Sequence, residues 1–399
     1  MTSPGDPEPE PDPTATTYDV VVVGGGVIGL AAAWKIAVRA MTVAMVDPEP
    51  GRGASWAAAG MLAPVSEVHH GEESLLALNL ASARRWPAFA AELQEAVGRP
   101  IGYRPSGTLV VAADDGDRAW TEELYRFQRE LGLDVEWLTG RRARQLEPGI
   151  APGVRAAISV PGDHQVDNRL LVGALLDAAR QAGVALHRHQ AAALECAGGA
   201  VSGVRLAGGT TLRASAVVLA AGCWSGQLDG LPADAVPVRP VKGQILRLLR
   251  GERAPVLDRT VRGIVQGSSV YVVPREDRTV VVGATVEERG FDTAATAGAV
   301  YELLRDAHRV VPGITEMVLG EVSAGLRPGS PDNAPIVGRA SVGGVDGLVV
   351  ATGHYRHGIL LTPLTAAAVA ALVAGDDPPD EMAPFGPGRF AGLAARAGT

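Results

Sequence analysis

The feature that most narrows the fold is a glycine pattern, Gly24-x-Gly26-x-x-Gly29, set directly after the apolar run Tyr18–Val23 and directly before Val27–Ala40, a stretch of small, helix-favouring residues. A second apolar run, Thr42–Val46, follows. Unbroken apolar runs are what parallel strands covered on both faces require, so the segment spells strand, turn, helix, strand: a βαβ unit. Each glycine has its own reason. Gly24 permits the tight turn, Gly26 lets backbone N–H groups approach a pyrophosphate, and Gly29 lets helix and strand pack closely. Asp47 ends the second strand about 20 residues on, where a carboxylate accepts hydrogen bonds from ribose hydroxyls and disfavours a 2′-phosphate. NAD and FAD both use such a unit, and the unit alone does not choose between them.

With 399 residues, 47% of them hydrophobic, the chain has material for two domains or one large one. Its net charge of -8 argues against a nucleic-acid surface or a basic membrane anchor, so an anionic substrate has to be held by local charge. Cys196 and Cys223 are the only cysteines and form no CxxC, and the histidines do not cluster; neither a disulfide scaffold nor a metal site is expected. Met1–Thr17 is polar and proline-rich, unlike a signal or transit peptide, and reads as a disordered tail; Gly392–Thr399 reads as a loose end. The apolar stretch Leu364–Ala374 is too short to span a bilayer. No membrane or nucleic-acid partner is expected, the cytoplasm is the default compartment, and the sequence leaves a homo-oligomer open.

Downstream, Leu75–Val97, Thr121–Leu131, Arg141–Leu146 and Leu170–Ala182 read as helices, with strands at Thr108–Ala112, Val184–His187 and Ala216–Ala221. From Val236 to Thr285 strands dominate, the clearest being Gln244–Leu249, Val270–Val273 and Thr279–Val282, and their turns suggest an antiparallel sheet. The end returns to α/β with a strand at Leu348–Thr352 and a helix from Pro363. The expected fold class is therefore α/β: a Rossmann-like nucleotide-binding domain with an inserted antiparallel-sheet (α+β) substrate domain. The expected division gives 18–85, 150–235 and 325–390 to the first and 86–149 and 236–324 to the second.

Two further segments bear on the cofactor and substrate. Gly51–Leu62, with Ala54, Ser55, Ala59, Gly60 and Met61, has the small residues that suit a backbone lying against a flat ring and a pyrophosphate, although a tight helix contact reads equally well. Arg327, in Gly-Leu-Arg-Pro, and Arg356, in His-Tyr-Arg-His, are of the residue type that grips a carboxylate with two hydrogen bonds. Either one alone also reads as an ordinary ion pair.

Taken together, Val20–Gly29, Asp47, Ala54–Met61, Val217–Gly222, Gly325–Pro328 and Gly353–Leu360 resemble the D-amino-acid-oxidase superfamily of FAD-dependent oxidoreductases, most nearly its glycine-oxidase family, over roughly Tyr18–Ala374. The resemblance implies that Gly24, Gly26, Val27, Ile28, Gly29, Asp47, Pro48, Ala54, Ser55, Ala59, Gly60, Met61 and Gly222 serve FAD, with Ala191 at the adenine. It implies that His354, Tyr355, Arg356, His357, Gly358, Ile359 and Leu360 wrap the isoalloxazine through the backbone, His357 standing where asparagine is common. Thr362 and Pro363 then read as N-cap and N1 of the last helix, whose positive end would face reduced flavin. Arg327, Arg356 and Tyr271 would hold the substrate carboxylate. Val286 stands where relatives carry methionine, which leaves the pocket size open. Relatives with covalent flavin use a cysteine near the C-terminal segment; both cysteines here lie far upstream, so the FAD is expected to be non-covalent. The implied activity is oxidation by O2 of glycine, sarcosine or D-alanine to the 2-oxo acid, ammonia and H2O2, with a role in supplying imine for the thiazole of thiamine. An oxidase or dehydrogenase of a bulkier D-amino or N-methyl amino acid, and a flavin-binding subunit without turnover, are the alternatives.

Overall fold

The computed structural model describes residues 17–231, 236–252, 254, 256–340 and 345–390. The expected tail, apart from Thr17, and the C-terminal end from 392 lie outside them.

The valines of Thr17–Val23 are buried on both sides because a layer packs on each. Val20 and Val22 face the helices Val27–Ala37, Glu73–Val97, Asn168–Gln181 and Gly358–Ala374, whereas Val21 and Val23 face an antiparallel ribbon, Ala191–Ala197 and Ala200–Leu206. The strand order across this sheet is Ile336–Arg339, Leu348–Thr352, Thr211–Leu219, Thr17–Val23, Val43–Val46, Ala185–His187, with the last five parallel. Ligands of such sheets bind beyond the carboxyl ends of the strands, where Gly24, Asp47 and Gly222 sit.

The second sheet has eight strands: Val318–Gly329, Arg239–Leu249, Thr279–Gly283, Ser268–Pro274, Thr260–Val265, Thr108–Ala112, Ala156–Val160, Glu136–Thr139. All pairs are antiparallel except Thr260–Val265 with Thr108–Ala112. Helix Ala297–Val310 closes its core through Leu303, Ala307 and Val310.

Two expected boundaries cut through elements, and one strand belongs to the other sheet. The helix Glu73–Val97 runs unbroken past residue 85, and its Phe89, Ala90 and Leu93 pack in the core of the parallel sheet. Ala156–Val160, assigned to the first domain, pairs in the second sheet, and Val318–Gly329 runs through the division at 325. Composition shifts mark chain segments, but a strand's sheet is decided by a partner distant in sequence, which composition does not reveal.

The last helix also starts earlier than expected. It spans Gly358–Ala374 after a 3₁₀ turn at Tyr355–His357; Thr362 donates from its hydroxyl to the Gly358 carbonyl at 2.9 Å, and Pro363 lies inside the helix rather than at its start. Tyr355–Ala374 has the length and apolarity of a bilayer span, yet 78% of its apolar window is buried between the other helices and the sheet. A helix buried all round is apolar all round.

Candidate active site

A cavity of about 740 Å³ runs from the carboxyl ends of the parallel strands to the second sheet. Of the residues expected at the cofactor, all line it except Gly29, His357 and Leu360. Gly29 serves packing: a Cβ there would lie 1.9 Å from the Gly24 carbonyl oxygen. Gly24, at φ +107°, has the Ala220 oxygen 2.4 Å from where its Cβ would stand. The Leu360 carbonyl faces the core, accepting from Ser82 Oγ at 2.7 Å and Trp86 Nε1 at 2.8 Å. His357 is buried beside the cavity and not in its wall.

Asp47 does more than wait for a ribose. Its Oδ2 accepts the Gly25 N–H at 2.6 Å and its Oδ1 the Glu49 N–H at 2.8 Å, so the acid also ties the glycine turn to the second strand. The first helix has glycine at its N-cap and no cap from its own side chain; Ser55 Oγ, 28 residues on, accepts the Val27 N–H at 3.1 Å. That leaves the Ser55 proton and the other first-turn N–H groups for a ligand.

The alanine-rich segment is held from behind. Asn168 Nδ2 donates to the carbonyls of Ser55 and Trp56 at 2.9 Å each, Arg247 Nη2 to those of Trp56 and Ala58 at 3.4 and 3.3 Å, Arg275 Nη2 to that of Ala59, and the Val166 N–H to that of Gly60 at 2.9 Å. The N–H groups of Ala59 and Gly60 have no protein acceptor among the described residues, while both residues line the cavity. Free donors on small residues, continuous with a free helix N-terminus, fit the pyrophosphate and the polar edge of a flavin. FAD thus fits the residues present. Asn168, Arg247 and Arg275 are absent from the sequence reading; the signal for Arg247 was a charge set in an apolar strand, Ile245-Leu-Arg247-Leu-Leu.

At the other end of the cavity, Tyr271 and Arg327 each occupy room left by a glycine. Tyr271 stands opposite Gly283, where a Cβ would meet its hydroxyl at 2.4 Å; a Cβ on Gly243 would meet the Arg327 guanidinium at 2.3 Å. Arg327 Nη1 donates to the carbonyls of Thr285 at 3.1 Å and Lys242 at 3.4 Å, and no carboxylate among the described residues pairs with it. Burial raises the Tyr271 phenol above its ordinary value, against the nearby Arg327 charge, so it stays a hydrogen-bond donor at neutral pH. Arg356 also lines the cavity, but its Nη2 is paired with Glu72. Val286 is 67% exposed and does not line the cavity.

Two residues of this end escaped the sequence reading. Glu67 lines the cavity and is paired with Arg262, whose Nη1 lies 3.8 Å from Met61 Sδ. Burial alone would raise the Glu67 carboxyl, but the positive charges of Arg262, of protonated His357 and of Arg356, with the Arg262 hydrogen bond, pull it down to about 2. His357, 3.7 Å away, is pushed down to about 3 by burial and is uncharged at neutral pH. Neither Glu67 nor Arg262 stands in a distinctive motif.

A family model described as FAD dependent oxidoreductase matches residues 19–372. Glycine oxidase of Geobacillus kaustophilus is 37% identical over 372 residues, covering 92% of this chain and 96% of that one. The bifunctional protein ThiO/ThiG of Trichormus variabilis is 35% identical over 356 residues, 89% of this chain and 52% of its own length, so the chain spans about half of that relative. The crystal structure of glycine oxidase from Geobacillus kaustophilus matches with a TM-score of 0.85 at 36% identity, over 93% of this chain and 98% of that one.

Proposed function

From the premise that the chain belongs to the FAD-dependent oxidoreductase family and is an amino-acid oxidase, we propose that it oxidises glycine and other small amino acids, sarcosine and D-alanine among them. The products are the 2-oxo acid, the released amine (ammonia from a primary amine) and H2O2. The observation that carries this reading is the charge balance at the end of the cavity. Glu67 offsets Arg262 and Glu72 offsets Arg356, while the partners of Arg327 among the described residues are carbonyls alone. One substrate carboxylate restores neutrality there, held by the Arg327 fork and the Tyr271 hydroxyl.

Anchored so, the α-carbon is the atom presented to the cofactor, and orientation supplies much of the rate. FAD held in this cavity would supply the acceptor for the hydride of the α C–H bond, with O2 as the final oxidant. The substrate nitrogen must be neutral to release that hydride. Glu67, held near 2, is a poor base and serves charge balance instead. The amino acid becomes an imine, and water hydrolyses it to the 2-oxo acid. Similarity to ThiO/ThiG supports a role in which that imine feeds thiazole formation for thiamine. An amino-acid panel with peroxide detection tests the substrate: peroxide from glycine, sarcosine or D-alanine is expected, and none from any of the three rejects the reading.

A further inference from the structure

Two of the guanidiniums behind the alanine-rich segment come from the other sheet. Arg247 lies in the strand Arg239–Leu249 and Arg275 directly follows Ser268–Pro274, whereas the segment they hold leads out of the βαβ unit. Both are buried, at 5% and 7% exposure. Arg275 divides its fork between the Ala59 carbonyl and Gln165 Oε1, the latter at 2.7 Å, with Asp167 3.8 Å from its Nε. Arg247 spans the Trp56 and Ala58 carbonyls and Asn168 Oδ1. Burial lowers the Arg275 guanidinium to about 10, so it keeps its charge at neutral pH. The same contact constrains Gly60: at φ +68°, a Cβ there would lie 3.0 Å from Arg275 Nη2 and 2.0 Å from the Val166 oxygen.

A buried guanidinium without a full set of partners is costly, and a hydrophobic side chain of similar size is often no worse for stability alone. The Nε of Arg247 and of Arg275 has no hydrogen-bond partner among the described residues, so neither residue is an optimal core filler. Their forks do one thing a hydrophobe does not. They fix carbonyl directions on one side of Trp56–Ala59, and with them the direction in which the unpaired N–H groups of Ala59 and Gly60 point. Trp56 itself is stacked between Arg52 and Arg169, each 4.3 Å from its ring, which steadies the same segment at its start.

We propose that Arg275, assisted by Arg247, is a positioning residue for the cofactor: the substrate-binding sheet reaches across to the nucleotide-binding unit and presets the backbone donors that receive FAD. Cofactor affinity then depends on residues that do not touch the cofactor. This holds whichever amine is oxidised.

The test uses the holoenzyme and the variants Arg275→Met, Arg275→Lys and Arg247→Met. FAD release is followed by flavin fluorescence on dilution, and melting temperature is measured with saturating FAD and after its removal. The expected result for Arg275→Met is FAD binding weaker by about tenfold or more, the loss of a charge-assisted hydrogen bond's effect on a binding constant. The FAD-dependent gain in melting temperature shrinks with it. Arg275→Lys restores only part, because one ammonium on a flexible stem does not replace a planar fork shared between Ala59 and Gln165. The bound flavin's visible band also changes shape in both variants. A merely structural role gives a different pattern: the FAD-free protein melts lower, while the FAD-dependent gain and the spectrum stay as they were. That pattern overturns the proposal, as does FAD affinity within twofold of the unaltered protein in Arg275→Lys, which decides the matter if Arg275→Met does not fold.

Discussion

The Tyr271 hydroxyl fills the space that a Cβ on Gly283 would claim, at 2.4 Å, on the strand directly opposite. The phenol is therefore aimed by an absent side chain as much as by its own rotamer. Gly283→Ala is expected to push the ring off this position and raise KM for amino acids about tenfold, the scale of one lost hydrogen bond to a charged group. FAD content is expected to stay normal, because Gly283 does not line the cavity. Unchanged KM in a folded, yellow variant would show that the ring's place does not matter to substrate.

Arg327 and Arg356 are expected to differ in worth. Among the described residues Arg327 has only carbonyl partners, while Arg356 is already paired with Glu72, so substrate gains more from the first. Arg327→Ala should lower kcat/KM by about 100-fold or more and Arg356→Ala by about tenfold, with flavin retained in both. Steady-state kinetics with a peroxide readout decides it. Equal losses would mean that the Glu72 pair breaks open when substrate arrives.

Where local pattern and physical requirement coincide, the sequence was readable. The glycines at 24, 26 and 29 are separately demanded by a turn, a close approach and a packing contact, and each demand can be stated before any coordinates exist. Val20–Val23 declared a strand covered on both faces in the same way. The last helix was misplaced because Thr362-Pro363 is a strong start signal, and nothing local shows that the turn at Tyr355–His357 already leads into helix at Gly358. Glu67, Arg262 and Arg275 were invisible for another reason. Each matters through a partner far off in the chain, Arg262 to Glu67 and Arg275 to Ala59, and a single charged residue does not announce what it will meet.

Cys223 lines the cavity, so the expectation of non-covalent FAD faces a sharper test than distance along the chain suggested. Burial pushes its thiol up to about 12, which leaves almost no thiolate at neutral pH, and a thiol is a poor nucleophile. Acid precipitation of the holoenzyme is expected to leave all flavin fluorescence in the supernatant, in Cys223→Ser as in the unaltered protein. Fluorescence that stays with the pellet in one and not the other would identify Cys223 as an attachment point.

Glu67 gives the site a signature in acid. Its carboxyl is held at about 2 against an ordinary value near 4.5, so below pH 4.5 the unfolded chain binds a proton that the folded chain refuses. The stabilisation it contributes is therefore complete above pH 4.5 and drains away as the pH falls towards 2. Glu67→Gln removes this contribution and leaves Arg262 without its carboxylate. Urea unfolding at pH 7, 5, 4 and 3 should show the variant less stable at pH 7 by an amount that shrinks below pH 4.5, because the native protein alone loses this increment. A gap that stays constant down to pH 3 would mean that Glu67 titrates normally in the folded protein, and that the ion pair with Arg262 does not hold its charge.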